Sequence, residues 1–415
     1  LGGRVGGGNI SGVAVALTLG GAGAVFWMWV GAFVTMALKY AEIILGMLHR
    51  ETLGGKTVGG APYYIRAALG KGAAALFAGL LVFDSVAVGG VIQSSAIAEA
   101  AAGLGVAPFA TGIAISLAAA AVFFFGLDLF RLSAVLVPVM AVGYIAASAA
   151  VIAANAENLP AAFGAVFAGA FRPAAASGGL AGFLLSPALR QGIVKGLFSN
   201  EAGCGTAAAA HAASKETVPA RQGLFGIFEV FCDTVLLCTI TALAILTALG
   251  DDLAAYGAAG VRLCTAAFAT VFGHGAAPLM FAFVLLFAFA TIVAYGYYGM
   301  ESLRYFAHGA RYQGAFLVAY CLSQLCGAVA APAAVWTLSD TVICLLLFVN
   351  MAAVTARAGE ICAAHDAFYV QMGKYAQSAS KMKSRRAASA KKESAISDRV
   401  KNSGEMPYFA QNRAK

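Results

Sequence analysis

Apolar runs of about twenty residues, parted by short stretches of charge, glycine or proline, recur from the first residues to about position 356. Read against those breaks, the pattern predicts helices over 2–19, 23–48, 73–102, 108–126, 132–154, 179–213, 221–249, 277–306, 312–331 and 334–356. About twenty residues of helix cross the hydrocarbon of a bilayer. In lipid only helices and closed barrels satisfy every backbone polar group, and these Ala-, Leu- and Phe-rich runs lack the alternation of barrel strands. The expected fold is an all-α polytopic membrane protein of about ten spans. Apolar runs along the whole chain exclude a lone signal peptide or anchor. The first run is short and rich in glycine, and the chain opens at Leu1, so the expectation is an N-terminally truncated chain that begins inside a helix.

Composition agrees with this pattern. Hydrophobic residues make up 61% of the 415 positions and charged residues 11%, against about a quarter in soluble proteins, and the mean hydropathy is +0.82. Loop charge then suggests orientation. Arg50, Lys56, Arg66, Lys71, Arg131, Lys215, Arg221, Arg304 and Arg311 fall on one side, with only Arg172 and Arg262 on the other, which makes the first side cytoplasmic. The 49–72 loop is then expected inside, and the 155–178 and 250–276 connections outside. Residues 254–277 fit an external re-entrant or surface helix better than a span. Two regions are expected: a membrane domain over 1–362 and a basic cytoplasmic tail over 363–415, solvated and disordered, that holds about seven of the eight net positive charges. A tail joined to a membrane body argues against nucleic acid as a partner. The eight cysteines show no metal-ligand spacing and read as small buried hydrophobes.

The chemistry lies in the exceptions to the apolar pattern. "GLFSNEAGCG", Gly196 to Gly205, places Ser199, Asn200 and Glu201 together inside an apolar run. A carboxylate at that depth costs about 2.5–3.5 kcal/mol on insertion scales, so something must compensate it. One reading is a small-residue packing patch in which Glu201 pairs with Lys195 or Arg4. It accounts for the glycines but leaves Ser199 and Asn200 unexplained. A second stretch, "GGRVGGGNISG", Gly2 to Gly12, repeats the pattern about two hundred residues earlier with Asn9 at its centre. Two glycine-interrupted helices, each opening a set of five spans, form the pattern of a 5+5 inverted-repeat transporter. In such proteins the breaks face each other near the midplane, where amides hold a carboxylate and freed carbonyls hold a cation.

Those stretches, with "KYAEIILGMLHRE", "GGAPYYI", "QGLFGIFEVFCDTVLLCTITAL" and "FAFATIVAYGYYG", resemble in order the alanine/glycine:cation symporter family, which shares the leucine-transporter-type fold. The resemblance runs from residue 1 to about 355. It implies discontinuous first and sixth helices and sodium-coupled symport of a small neutral amino acid, alanine or glycine, across the plasma (inner) membrane by alternating access. Substrate contacts are implied at Gly7, Gly8, Asn9, Gln93, Ser199, Asn200, Glu201 and Gly203. A sodium ion is implied at Gly2, Val5, Asn9 and Thr291, with no other cofactor. The chain departs from the family pattern at Ala290, where a serine hydroxyl is usual, at Gly7 for threonine, Ser95 for asparagine, Ala208 for proline, and at Met300 where an acidic residue is usual.

Other buried charges have local readings. Lys39 and Glu42 lie one turn apart and are expected to neutralise each other. Glu229 and Asp233 are also one turn apart and, having like signs, need a cation or water nearby. Asp84 has no charged residue near it in its span, and His211 reads as a helix-end cap. The rival functions are a proton-coupled carrier titrating Glu201 or Asp84, an intramembrane enzyme and an ion channel. Neither H-E-x-x-H nor G-x-S-x-G occurs, which argues against the enzyme.

Overall fold

The computed structural model describes residues 6–53, 56–125, 129–172, 186–256, 259–307 and 309–374, together with Met382. The chain divides into two compact units, Leu1–Ile361 and Cys362–Lys415. In the first unit a 3-10 turn, Gly7–Asn9, leads into α1 (Ser11–Gly20) and α2 (Ala24–Leu48). After a small hairpin and α3 (Ala61–Leu69), α4 (Lys71–Asp84) passes through a π-helical turn, Ser85–Gly89, into α5 (Gly90–Ala102). There follow α6 (Pro108–Phe125), α7 (Leu129–Ala154), α8 (Leu159–Ala170), α9 (Pro187–Asn200) and α10 (Thr206–Ala212). Next, α11 (Pro219–Val230) continues through a second π stretch, Phe231–Cys238, into α12 (Thr239–Leu249). The unit ends with α13 (Gly260–Phe272), α14 (Ala276–Arg304), α15 (Ala310–Val329) and α16 (Pro332–Ala356). In the second unit the residues described up to 374 are helical.

Eight helices among the described residues are long and apolar enough to cross a membrane. The sequence pattern predicts about ten spans. The difference lies at the two glycine-interrupted stretches, where α1 has 10 residues and α9 has 14. At 1.5 Å per residue neither reaches across about 30 Å of hydrocarbon. Each therefore ends within the bundle. Large apolar side chains point outward, with Phe125 82% and Phe348 79% exposed, an arrangement that only a lipid surround makes inexpensive. The protein is a multi-pass helical membrane protein.

The 49–72 segment is more ordered than the loop expected there. Strands β1 (Glu51–Leu53) and β2 (Lys56–Val58) pair antiparallel, with Thr52 opposite Thr57. In α3, Pro62 sits in the first turn and Tyr63, Tyr64 and Ile65 are buried. The Tyr64 hydroxyl donates to Asn350 Oδ1 at 2.6 Å, tying α3 to α16. The 254–277 segment contains α13, which packs against α1, α12 and α14. All eight cysteines are free thiols.

Helix α2 meets α8 at a backbone-on-backbone contact. A Cβ on Gly23 would strike the backbone of Gly169 and Ala170. Gly79, in α4, has open space around it. Gly23→Val is therefore expected to cost about 1–3 kcal/mol by overpacking, and Gly79→Ala to be neutral or slightly stabilising. Thermal melts of the purified proteins check this, and equal midpoints for the two variants would contradict the close approach.

Candidate functional site

The first break is held open by side chains. The Gly6 amide donates to Asn9 Oδ1 at 3.0 Å, and the Gly7 amide to Gln93 Oε1 at 2.9 Å. The backbone closes two short turns, Asn9 N to Gly6 O and Ile10 N to Gly7 O, both at 3.2 Å. Glycine is required because the walls are close. A Cβ on Gly7 would lie 2.7 Å from Gln93 Oε1, and one on Gly8 would lie 3.0 Å from the Phe198 ring. Thr291 stands against Gly6, its hydroxyl bonded back to the Phe287 carbonyl at 3.1 Å.

At the second break α9 stops at Asn200, and Glu201 takes left-handed angles, φ 49° and ψ 23°. It is the one non-glycine residue with positive φ among the described residues. Such a conformation costs about 1–2 kcal/mol for an L-residue. Gly203 (φ 90°) and Gly205 (φ 70°) adopt positive angles without that cost. Distant side chains satisfy the exposed peptides. Lys39 Nζ donates to the Asn200 carbonyl at 2.9 Å, the Gly205 amide donates to Glu42 Oε1 at 3.1 Å, and Asn350 Nδ2 donates to the Gly203 carbonyl at 2.8 Å. Asn350 also donates to Glu42 Oε1 at 2.7 Å. Asn200 Oδ1 accepts from the Ala202 amide at 2.9 Å. Lys39 and Glu42, one turn apart on α2, thus both brace the second break.

The two breaks meet at Asp233. Asn9 Nδ2 lies 2.8 Å from Asp233 Oδ1 and 3.1 Å from Ser199 Oγ. Ser199 Oγ donates to Asp233 Oδ2 at 2.6 Å, and the neighbouring Thr234 hydroxyl accepts from Asn200 Nδ2 at 3.1 Å. Asp233 lies on the π stretch and is 1% exposed. Its hydrogen-bond donors are neutral, while Lys39, whose charge acts on it, donates to the Asn200 carbonyl instead.

Of the residues expected at a site, Gly7, Gly8, Asn9, Gln93, Ser199 and Asn200 converge here, with Thr291 beside Gly6. Two point elsewhere. Glu201 accepts from the Thr206 hydroxyl at 2.7 Å, and the Gly203 carbonyl is engaged by Asn350. Gly2, Val5 and Arg4 lie outside the described residues. Lys195, one candidate partner of Glu201, pairs with Asp340 at 2.6 Å and lies 4.4 Å over the Trp336 ring. Glu229 and Asp233 separate: Glu229 faces His211 at 3.3 Å while Asp233 faces the breaks. The sequence signal for Asp233 was a carboxylate in an apolar span, and its partners, 34 and 224 residues away, carried no local mark.

A route from one end of the bundle approaches this meeting point. A vestibule of about 740 Å³, lined by Ser95, Glu99, Arg262 and Pro332, borders a cavity of about 10 Å³ that reaches Ser11 and Trp336. Trp336 packs edge-on against Phe198, ring centroids 4.8 Å apart, and Phe198 packs against Gly8. Aromatic rings thus close the route just short of the breaks.

Residues 1–383 match the sodium:alanine symporter family. The chain belongs to that family. It is 35% identical over 379 residues to the sodium/alanine symporter AgcS of Methanococcus maripaludis, with 88% of this chain and 81% of the relative covered. It is 34% identical over 359 residues to the uncharacterized transporter YaaJ of Escherichia coli, covering 85% and 75%. To the sodium/proton-dependent alanine carrier protein of Bacillus sp. strain PS3 it is 31% identical over 373 residues, covering 85% and 82%. Membership makes the chain a transporter and not an enzyme.

Asn350 joins α3, α2 and the second break through Tyr64, Glu42 and Gly203. Asn350→Leu is expected to destabilise the symporter by about 1–3 kcal/mol for each buried group left unmet. The thermal midpoint measures this, and an unchanged midpoint would show that the second break does not depend on that brace.

Proposed function

We propose that the chain is a secondary carrier that brings a small neutral amino acid, alanine or glycine, into the cell with sodium by alternating access. The observation that carries this reading is the junction of the two breaks through Asn9, Ser199 and Asp233. An ionised carboxylate inside a bilayer costs about 2.5–3.5 kcal/mol on insertion scales. Asp233 has neutral hydrogen-bond donors, so a cation entering beside it recovers part of that cost. Sodium suits the oxygens of Ser199, Asp233 and Thr234 better than a transition metal does.

In this reading Gly7, Gly8 and Gln93 receive the substrate carboxylate. The Gln93 side chain now accepts from the Gly7 amide, where a carboxylate oxygen would take its place. Ser199 and Asn200 receive the ammonium group. Glu201 and Gly203 shape the second break without contacting the ligand. The sodium position that the family resemblance implies, at Gly2, Val5, Asn9 and Thr291, is part of the proposal, with one hydroxyl fewer because residue 290 is alanine. The spans form a 5+5 inverted repeat in the plasma membrane, the basic loops and tail are cytoplasmic, and the Glu99–Arg262 vestibule is the outer mouth. The names of the archaeal and Bacillus relatives support alanine and sodium.

The test is counterflow of labelled alanine in proteoliposomes at fixed pH, with sodium or with choline. Exchange is expected with sodium and only at background level with choline; equal exchange in both would remove sodium coupling. Gly8→Leu fills the space facing Phe198 and is expected to abolish exchange while the protein still inserts. Exchange at the wild-type rate in that variant would contradict the cradle.

A further inference from the structure

One thiol stands inside the junction of the two breaks. Cys238 is 1% exposed, and its Sγ lies 3.3 Å from Ser199 Oγ and 3.5 Å from Asn9 Nδ2. The charge of Asp233 acts on it. The cradle therefore has a sulfur wall beside its carboxylate, and this cysteine does more than pack. Cys264, by contrast, meets a backbone group, the Ile10 carbonyl at 3.5 Å, and Cys326, Cys344 and Cys362 are exposed. The helix explains the position. Cys238 closes the π stretch Phe231–Cys238, five residues after Asp233. In an α-helix, at about 100° per residue, two such side chains point about 140° apart. The i→i+5 bonding of a π-helix puts them about one turn apart, on one face. The widened stretch thus turns Cys238 toward Asn9 and Ser199 together with Asp233.

Proton bookkeeping decides what the thiol does there. Ser199 Oγ gives its one proton to Asp233 Oδ2 at 2.6 Å, so in the 3.3 Å contact the thiol donates to Ser199 Oγ. A thiol is a weak donor, and it gives this bond up at small cost when a cation takes the same lone pair. It is also a poor ligand for that cation. Hard cations bind oxygen, whereas a protonated sulfur offers them little and its bulk fills a place where an oxygen could approach.

We propose that Cys238 determines cation specificity: it presents sulfur where an oxygen would complete the set of Ser199, Asp233 and Thr234, and so disfavours lithium more than sodium. Lithium is the smaller and harder ion and depends more on close oxygen contacts on every side. The inference rests on the reading that a cation enters beside Asp233. Cys238 acts through the ligand it withholds and the weak bond it yields at Ser199, and no covalent bond changes.

The test uses the full chain in proteoliposomes at fixed pH and reads the concentrations of lithium and of sodium that half-saturate exchange of labelled alanine, with choline as the blank. Wild type is expected to need about fivefold more lithium than sodium, or more, the scale of one polar contact. Cys238→Ser, which puts a hydroxyl oxygen at the wall, is expected to lower that ratio by about the same factor. Cys238→Ala removes the sulfur and supplies no oxygen, and is expected to keep the wild-type ratio, so the difference between the two variants separates ligation from packing. Wild-type exchange that requires sodium yet proceeds equally well with lithium overturns this proposal alone, as does a Cys238→Ser ratio equal to that of wild type or of Cys238→Ala. Wild-type exchange as strong in choline as in sodium removes the sodium reading and this proposal with it. If Cys238→Ser does not insert, Cys238→Thr, which brings a hydroxyl in nearly the same volume, is read the same way, and the wild-type comparison of lithium with sodium decides independently.

Discussion

A helix that stops inside lipid leaves peptide groups that water cannot reach, and each must find a partner within the protein. Much of the polar chemistry of this chain follows from that requirement. Asn9 and Gln93 serve the first break, and Lys39, Glu42 and Asn350 serve the second. Apart from Asn9, which belongs to the first break itself, these side chains come from α2, α5 and α16, so the breaks are only as stable as the packing of helices far apart in sequence. The cost of interruption is thereby spread through the bundle.

The same economy separates support from cargo handling. Polar groups that brace the backbone have their bonds within the protein, as Asn350 does with Tyr64, Glu42 and Gly203. Asp233 differs, because its donors satisfy its oxygens without neutralising its charge. Lys195 shows a third use. Buried between Asp340 and the Trp336 ring, it clamps α9 to α16 at the end of the route that leads in from the vestibule.

The spans were legible in the sequence because long apolar runs impose helix once lipid is the solvent, and the breaks because glycine and polar residues are costly there without a purpose. Short-range spacing was less informative. Lys39 and Glu42 looked like a self-contained pair, yet their bonds extend to Asn200, Gly205 and Asn350. Glu229 and Asp233 also looked like neighbours, but the π stretch beginning at Phe231 shifts the register between them, and they serve different partners. The hairpin over 51–58 escaped notice because three-residue strands carry too little alternation to register. Which oxygens surround Asp233 depends on contacts across 34 to 224 residues, and no local pattern encodes those.

The two π turns set a rotational phase along their helices. An α-helix advances about 100° per residue, so the surplus residue in Ser85–Gly89 fixes the direction in which everything beyond it faces. Before that turn Phe77 packs beside Gly205; after it Gln93 meets the Gly7 amide. A substitution in the turn can leave this phase intact. Deleting one residue there would remove the widened turn through which α4 passes into α5, so for this helix the number of residues is as much a determinant of the local geometry as their identity.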